Sequence, residues 1–437
     1  MRAPRPQLTR FDDIMMVTSK IRAQDARAFK AHDQAMIRSA VEQSAGGFEA
    51  VNSSIHAHLR AWVGAEGRSL LRDCRLALGN EHVQTLAAAN NLGRLLREQG
   101  KLDEAEPLLM EAWAGFRRLS GDAHPRTLGV LNNIATLRFM QGRAAEAEAL
   151  YRQVVHGHAA AGRPPDRDSL SAQNNFALAL QLQGKWAEAE RELRSMLTRA
   201  TCAPAECAAE ALAARNALAA VLKQVGKLDE AEPLCRSALR GQEEMLGAAH
   251  PTTLMSRSNL AQILAARGML AEAEALHRAV LRARREQLGA THPEMLDTAN
   301  DLANVLSERG SFREAECFAR EAMQGRRTTL GPRHPDSLAS LETLASVLHE
   351  QGRTREAEPL CREALAGRRA AQGDGHPDTL SACNNLAAVL ASQGGLQEAE
   401  GLFRRVLHAQ CALLGDAHPE TLTTRHNLAL LLRKRDS

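Results

Sequence analysis

Tyrosine occurs once in this sequence of 437 residues, and all aromatic residues together make up 3% of it. Proteins that hold single-stranded nucleic acid stack its bases on aromatic side chains, so that class is poorly served here. Charge of one sign is also missing: charged residues make up 24% of the chain, yet the net charge is only +3. No broad field draws in nucleic acid or an anionic membrane. No apolar run reaches the length of a membrane span or of a secretory core segment. The first ten residues are basic, but Asp12 and Asp13 follow at once, which argues against a transit peptide. The eight cysteines are scattered, and the closest pair, Cys202 and Cys207, has no companions at metal-ligand spacing. They read as free buried thiols in a reducing compartment. The expectation is a cytoplasmic protein with no cofactor and no metal.

What the sequence has is repetition. One glycine recurs at Gly100, Gly142, Gly184, Gly226, Gly268, Gly310, Gly352 and Gly394, always 42 residues apart. With glycine near 7% of average composition, the chance of such a series is on the order of 10⁻⁸. Five residues after each glycine stands an alanine between two glutamates, from Glu104-Ala105-Glu106 to Glu398-Ala399-Glu400. Upstream, Leu86, Asn90, Leu92, Leu95 and Leu96 keep the spacing of one helical face, here named helix A. Downstream, Leu102, Ala105, Leu108, Leu109 and Ala112 do the same for helix B. The glycine reads as the left-handed stop of helix A. The alanine lets the two helices approach, and the glutamates suit the first turn of helix B.

Each new helix A is announced by His-Pro, at His124-Pro125, His250-Pro251, His292-Pro293, His334-Pro335, His376-Pro377 and His418-Pro419. Proline fits the first helical position and keeps the preceding histidine out of the helix. The histidines fall one per repeat, too far apart to share a metal ion. Two boundaries depart from the pattern, Arg163-Pro164-Pro165-Asp166 and Ala203-Pro204-Ala205-Glu206. The stack is expected to bend or loosen there.

Leu92, Gly93, Leu96, Gly100, Ala105, Leu109 and Ala112 resemble the signature of tetratricopeptide repeats. The longer form, with His-Pro-x-Thr-Leu and Asn384-Asn385-Leu386-Ala387, resembles the 42-residue repeats of kinesin light chains and nephrocystin-type proteins. The resemblance covers about Glu81 to Arg433 and implies an all-α fold. The expected architecture is a right-handed α-solenoid of about eight helix-turn-helix repeats over residues 58–437, closed by a C-terminal capping helix whose end, Arg433-Lys434-Arg435, is polar. Residues 1–57 are expected as a helical or partly disordered extension. Kinesin light chains join the motor heavy chain through a long heptad segment, whereas here Ile14, Val17 and Ile21 begin a heptad that decays into Gln24, Ala28 and Ala31. Residues 10–45 then read as an amphipathic helix capping the solenoid or frayed in solution.

In this family a polar position two residues before the leucine of helix A lines the groove and binds peptide. That position falls on Asn90, Asn132, Asn174, Asn216, Asn300 and Asn384, with Ser258, Glu342 and His426 in departing repeats. Asparagine both donates and accepts, so a column of them suits the main chain of an extended peptide. The alternative is that these amides bond within the stack, a role better suited to the second asparagine of each pair, Asn91, Asn133, Asn175 and Asn385. Groove positions four and seven residues on add Arg94 and Arg97, Thr136 and Phe139, Gln181, Lys223, Asn304, Ser307 and His349, with Glu308 and Glu350 beside them. The expected ligand is an extended acidic segment of a protein partner, its carboxylates on Arg94, Arg97 or Lys223.

No convergent acid, base or nucleophile stands out, and Gly100-Lys101, Gly184-Lys185 and Gly226-Lys227 are turns without the rest of a phosphate loop. The expected function is a non-catalytic scaffold or adaptor. A motor cargo adaptor with a kinesin heavy chain as partner is one alternative implied by the resemblance. A self-assembling solenoid or an enzyme's regulatory subunit is another.

Overall fold

A computed structural model of the chain describes residues 47–160, 162, 164–201, 207–413, 415–416 and 419–436. The expected helix over residues 10–45 and the boundary from Ala203 to Glu206 lie outside them. Among the described residues there are helices and turns and no strand. Helix A is α2 (Val83–Glu98), α4 (Pro125–Met140), α6 (Arg167–Leu182), α8 (Ala208–Gln224), α10 (Pro251–Ala266), α12 (Pro293–Glu308), α14 (Pro335–Glu350), α16 (Pro377–Gln393) and α18 (Pro419–Asp436). Helix B is α3 (Leu102–Ser120), α5 (Ala144–Ala160), α7 (Trp186–Ala200), α9 (Leu228–Leu246), α11 (Leu270–Leu288), α13 (Phe312–Leu330), α15 (Thr354–Gln372) and α17 (Leu396–Leu413). Before them α1 (Gly47–Leu78) takes the helix-B place against α2 and runs unbroken through residues 57 and 58.

The chain forms two compact units, Met1–Val221 and Leu222–Ser437. In the first, α2 packs on α4 and α4 on α6; in the second, α10, α12, α14, α16 and α18 pack in series. Both are α-solenoid arrays of helix pairs, with helices A side by side. Each helix A ends as its glycine requires. Gly100 takes φ +75°, and the N–H of Lys101 reaches back to the carbonyl of Leu96 at 2.9 Å. A second glycine series, unforeseen as a stop, ends helix B: Gly121 has φ 84° and ψ 172°, a conformation closed to other residues. The boundary histidine proves to be a cap as well as a residue outside the helix. His124 Nδ1 accepts the N–H of Arg126 at 3.2 Å, and His82, His250, His292, His334 and His376 act alike.

The core lies between helices A and B of a repeat and the helix A that follows. Ala105, Leu109 and Ala112 are fully buried, and burying a leucine contributes about 1.5–3 kcal/mol. Helix B also carries a glycine that allows contact with helix A: a Cβ on Gly115 would lie 2.4 Å from Leu86, and one on Gly325 2.5 Å from Leu296.

The Glu-Ala-Glu motif does more than suit a helix dipole, because in several repeats its two acids reach the repeats on either side. The first accepts an arginine from the preceding helix B, as in Arg68–Glu104 at 3.8 Å, Arg236–Glu272 at 2.9 Å and Arg278–Glu314 at 2.8 Å. The second reaches the end of the following helix A. Glu106 holds Arg138 at 2.6 Å and Gln141 at 3.1 Å, and these bonds keep its carboxyl down at about 2. Glu274 meets Arg309 in the same way, and Glu400 meets Arg435 at 2.9 Å. In α18 the outer face is not uniformly polar: Leu422 and Leu430 are half exposed.

Candidate functional site

In the first unit the asparagine column runs across neighbouring helices A. Asn90, Asn132 and Asn174 are half-buried on α2, α4 and α6, and Asn216 on α8 is buried. Their environments differ. Asn90 Oδ1 accepts the Nδ2 hydrogen of Asn133 at 2.9 Å, and Asn133 Oδ1 in turn accepts from Arg97 Nη1 at 3.3 Å. The second asparagine of that pair therefore has the inward, inter-repeat role expected of it. By contrast, the Oδ1 atoms of Asn132 and Asn174 are buried and have no hydrogen-bond partner.

The cations beside this column are partly committed. Arg94 lies 3.6 Å and Arg97 3.9 Å from Glu98. The Arg97 side chain is only 12% exposed, and burial lowers its pKa below the usual arginine value. Next to it stands Tyr151, the single tyrosine, almost wholly buried, with its phenol pushed up by desolvation. Tyr151 Oη donates to Thr136 Oγ1 at 2.9 Å, and Thr136 donates to the carbonyl of Asn132 at 2.9 Å. The result is a half-buried strip of amides, hydroxyls and one poorly hydrated guanidinium.

In the second unit the expected residues are dispersed. Lys223 Nζ donates to Gln262 Oε1 at 2.6 Å, and Gln262 Nε2 donates to Asp301 Oδ2 at 2.7 Å. Burial lowers the Lys223 pKa, with Asp301 opposing it. Asn300 is buried with an unpartnered Oδ1, Asn304 is exposed, and Asn384 Oδ1 accepts from Thr424 at 3.5 Å. Glu342, the acid in the asparagine column, bonds Arg368 Nε at 2.9 Å, and burial raises its pKa.

Sequence reasoning missed Tyr151, Gln262, Asp301 and the buried Arg284, Arg326 and Arg368. A signal for some of them existed in the repeat register. Tyr151 and His277 occupy the helix-B position of Leu109, where an apolar residue is the rule, and a polar substitution there marks a polar patch beneath helix A. Among the described residues no group of three or more His, Cys, Asp or Glu is placed to hold a metal ion. No described helix is long and apolar enough to cross a membrane. The thiols of Cys235 and Cys361 are pushed up to about 12 by burial.

Comparison with known proteins bears on the whole repeat array. The family model described as tetratricopeptide repeat matches residues 84–156, 210–286, 255–328, 320–370 and 336–412, and a second model of the same description matches 169–201. No curated protein matches the chain. Among solved structures, the putative kinesin light chain tetratricopeptide-like repeats of Podosopora anserina are 28% identical, over 46% of this chain and 96% of that one, with a TM-score of 0.40. RapI in its apo form is 13% identical over 65% of this chain and 97% of its own, at TM-score 0.52. A Rap protein complexed with Competence and Sporulation Factor is 12% identical over 81% and 99%, at TM-score 0.51. The two Rap structures share the fold.

Proposed function

Because the chain belongs to the tetratricopeptide-repeat family, we propose that the helix-A face of the first unit holds an extended, acidic segment of a partner protein without changing it chemically. The observation that carries this reading is the pair of orphaned oxygens on Asn132 and Asn174. A buried acceptor without a donor costs about 1–3 kcal/mol, and folded proteins keep few of them. Two such amides on adjacent helices A gain their missing partners if rotation about χ2 presents them to the N–H and C=O groups of an extended chain. Asn90 continues the line. Arg94 and Arg97 supply the attraction for carboxylates, and Arg97, already stripped of much of its water, forms charge-assisted bonds at a reduced desolvation cost.

In the second unit, Asn300, Asn304 and Asn384 extend the proposal to that unit's own helix-A face, where Lys223 positions Gln262 and Asp301. The test is affinity capture of the partner from a lysate by the native chain and by the Asn132→Ala, Asn174→Ala double variant. A folded double variant is expected to retain at least about tenfold less partner. Undiminished capture by the folded variant rejects the reading.

A further inference from the structure

Several neighbouring helices B are joined along a seam by rungs of ion pairs at two register positions, and both rungs are made between α1 and α3 and between α11 and α13. The first rung uses the leading glutamate of Glu-Ala-Glu. The second joins an arginine late in one helix B to an acid in the next: Arg75–Glu111 at 2.5 Å, Arg285–Glu321 at 2.6 Å and Arg327–Glu363 at 3.2 Å. Between α15 and α17 the first rung is made, Arg362–Glu398 at 2.9 Å. The second cannot form, since the register position of the acid holds Arg405. Arg369 and Arg405 instead converge on one carboxylate oxygen, Asp374 Oδ1, at 2.7 and 3.7 Å.

A cleft of 490 Å³ opens at this broken rung, with Leu365, Leu386 and Leu402 in its lining. Gly401 widens it where the same position elsewhere holds Pro107, Pro233 or Pro359. Two guanidiniums on one carboxylate leave a local excess of positive charge; Arg362 is shared by Glu358 and Glu398, and the lining itself carries Arg362, Arg369 and Arg405 against the acid Glu398. Asp374 is 69% exposed, and an exposed pair of this kind is worth about 0–1 kcal/mol. An incoming carboxylate can replace it at little cost.

We propose that this cleft, on the helix-B side of the second unit, docks an acidic segment of a protein partner. Carboxylates of the segment take the place of Asp374 on the forks of Arg369 and Arg405, and an aliphatic side chain rests on Leu365 and Leu402. The site shares no residue with the asparagine column, and its test is built to separate the two. The full chain carrying Asn132→Ala and Asn174→Ala, with the helix-A face silenced, is titrated with a fluorescein-labelled peptide of alternating aspartate and leucine, followed by anisotropy. A peptide of aspartate and serine is the second probe.

Binding is expected to persist in this background and to favour the leucine peptide by about tenfold. Arg405→Glu rebuilds the rung to Arg369, as at Glu321 and Glu363, so the chain keeps its thermal stability and loses at least about tenfold in affinity. Asp374→Asn tightens binding. Arg405→Gln serves as a second variant should the glutamate chain fold poorly. Three results overturn the proposal: no binding in the asparagine background, equal affinity for the two peptides, or binding unaffected by the Arg405 substitutions.

Discussion

Asn133 of α4 donates its side-chain N–H to Oδ1 of Asn90 in α2, 2.9 Å away, and so links two repeats through the second asparagine of one pair and the first of another. Adjacent residues of one motif thereby divide the work, since Asn132 keeps an unpaired oxygen. Asn133→Ala should remove one hydrogen bond from Asn90 and one from Arg97, which keeps only its ion pair with Glu98, and cost about 1–3 kcal/mol. Asn132→Ala removes a buried acceptor that bonds to nothing and adds helix propensity, so the variant should be at least as stable as the parent, with a gain of up to about 1–3 kcal/mol. Urea unfolding of both chains checks this. Equal losses would show that Asn132 is structural and would weaken the proposed role of the column.

Gly115 and Leu86 make the second testable pair. A methyl group on Gly115 would enter the space of the Leu86 side chain at 2.4 Å, and overpacking of this kind costs about 1–3 kcal/mol. Gly115→Ala should therefore lower the thermal midpoint even though alanine favours the helix. Leu86→Ala alone creates a cavity. Combined, the two substitutions should destabilise less than their sum, a coupling that thermal denaturation of the four chains of the cycle would measure. Strict additivity would mean that Leu86 moves aside freely.

The repeat register made the fold legible because the residues that set it are local. Gly100, Ala105 and Pro125 each obey a rule about one backbone conformation, one close approach or one helix start. The capping histidine and the second glycine, Gly121, obey rules just as local, and both recur in register. Tyr151 and the Arg97–Asn133–Asn90 chain were harder to foresee, because which partner a side chain finds depends on how neighbouring repeats stack. The same limit hid the role of the glutamates: Glu104 and Glu106 lie in one helical turn, yet they bond in opposite directions, to Arg68 and to Arg138.

Met110 stands where the seam arginine of other repeats would be, so the rung to Glu146 is missing. Glu146 turns instead to Arg143 at 2.7 Å, and a cleft of 780 Å³ opens between α3 and α5, with Met110, Trp113, Leu128 and Leu150 in its lining. The Arg117 guanidinium lies 5.2 Å from the Trp113 ring centroid. Met110→Arg should rebuild the rung seen at Arg152–Glu188 and narrow the cleft. The gain in stability is expected to be small, about 0–1 kcal/mol. The clearer readout is an apolar dye such as anilinonaphthalene sulfonate, whose fluorescence with the native chain should drop in the variant. Unchanged dye binding would show that the missing arginine is not what opens the cleft.

His277 is fully buried in α11, and neither ring nitrogen has a hydrogen-bond partner. Burial lowers its pKa below the ordinary value near 6.5; Asp301 of α12 pulls the other way, and Arg284 of α11 reinforces the drop. The ring is thus neutral in the folded chain at pH values where the unfolded chain already protonates it. As pH falls through about 6.5 the unfolded state binds more protons, and stability declines until the folded pKa is passed. His277→Leu, which installs the residue found at the equivalent Leu109 and Leu193, should remove this decline and also the burial of two unpaired nitrogens. The variant is expected to be more stable by about 1–2 kcal/mol near pH 8, with an advantage that widens toward pH 5. Urea midpoints across that range test both parts, and parallel pH profiles for parent and variant would show that His277 does not titrate differently on folding.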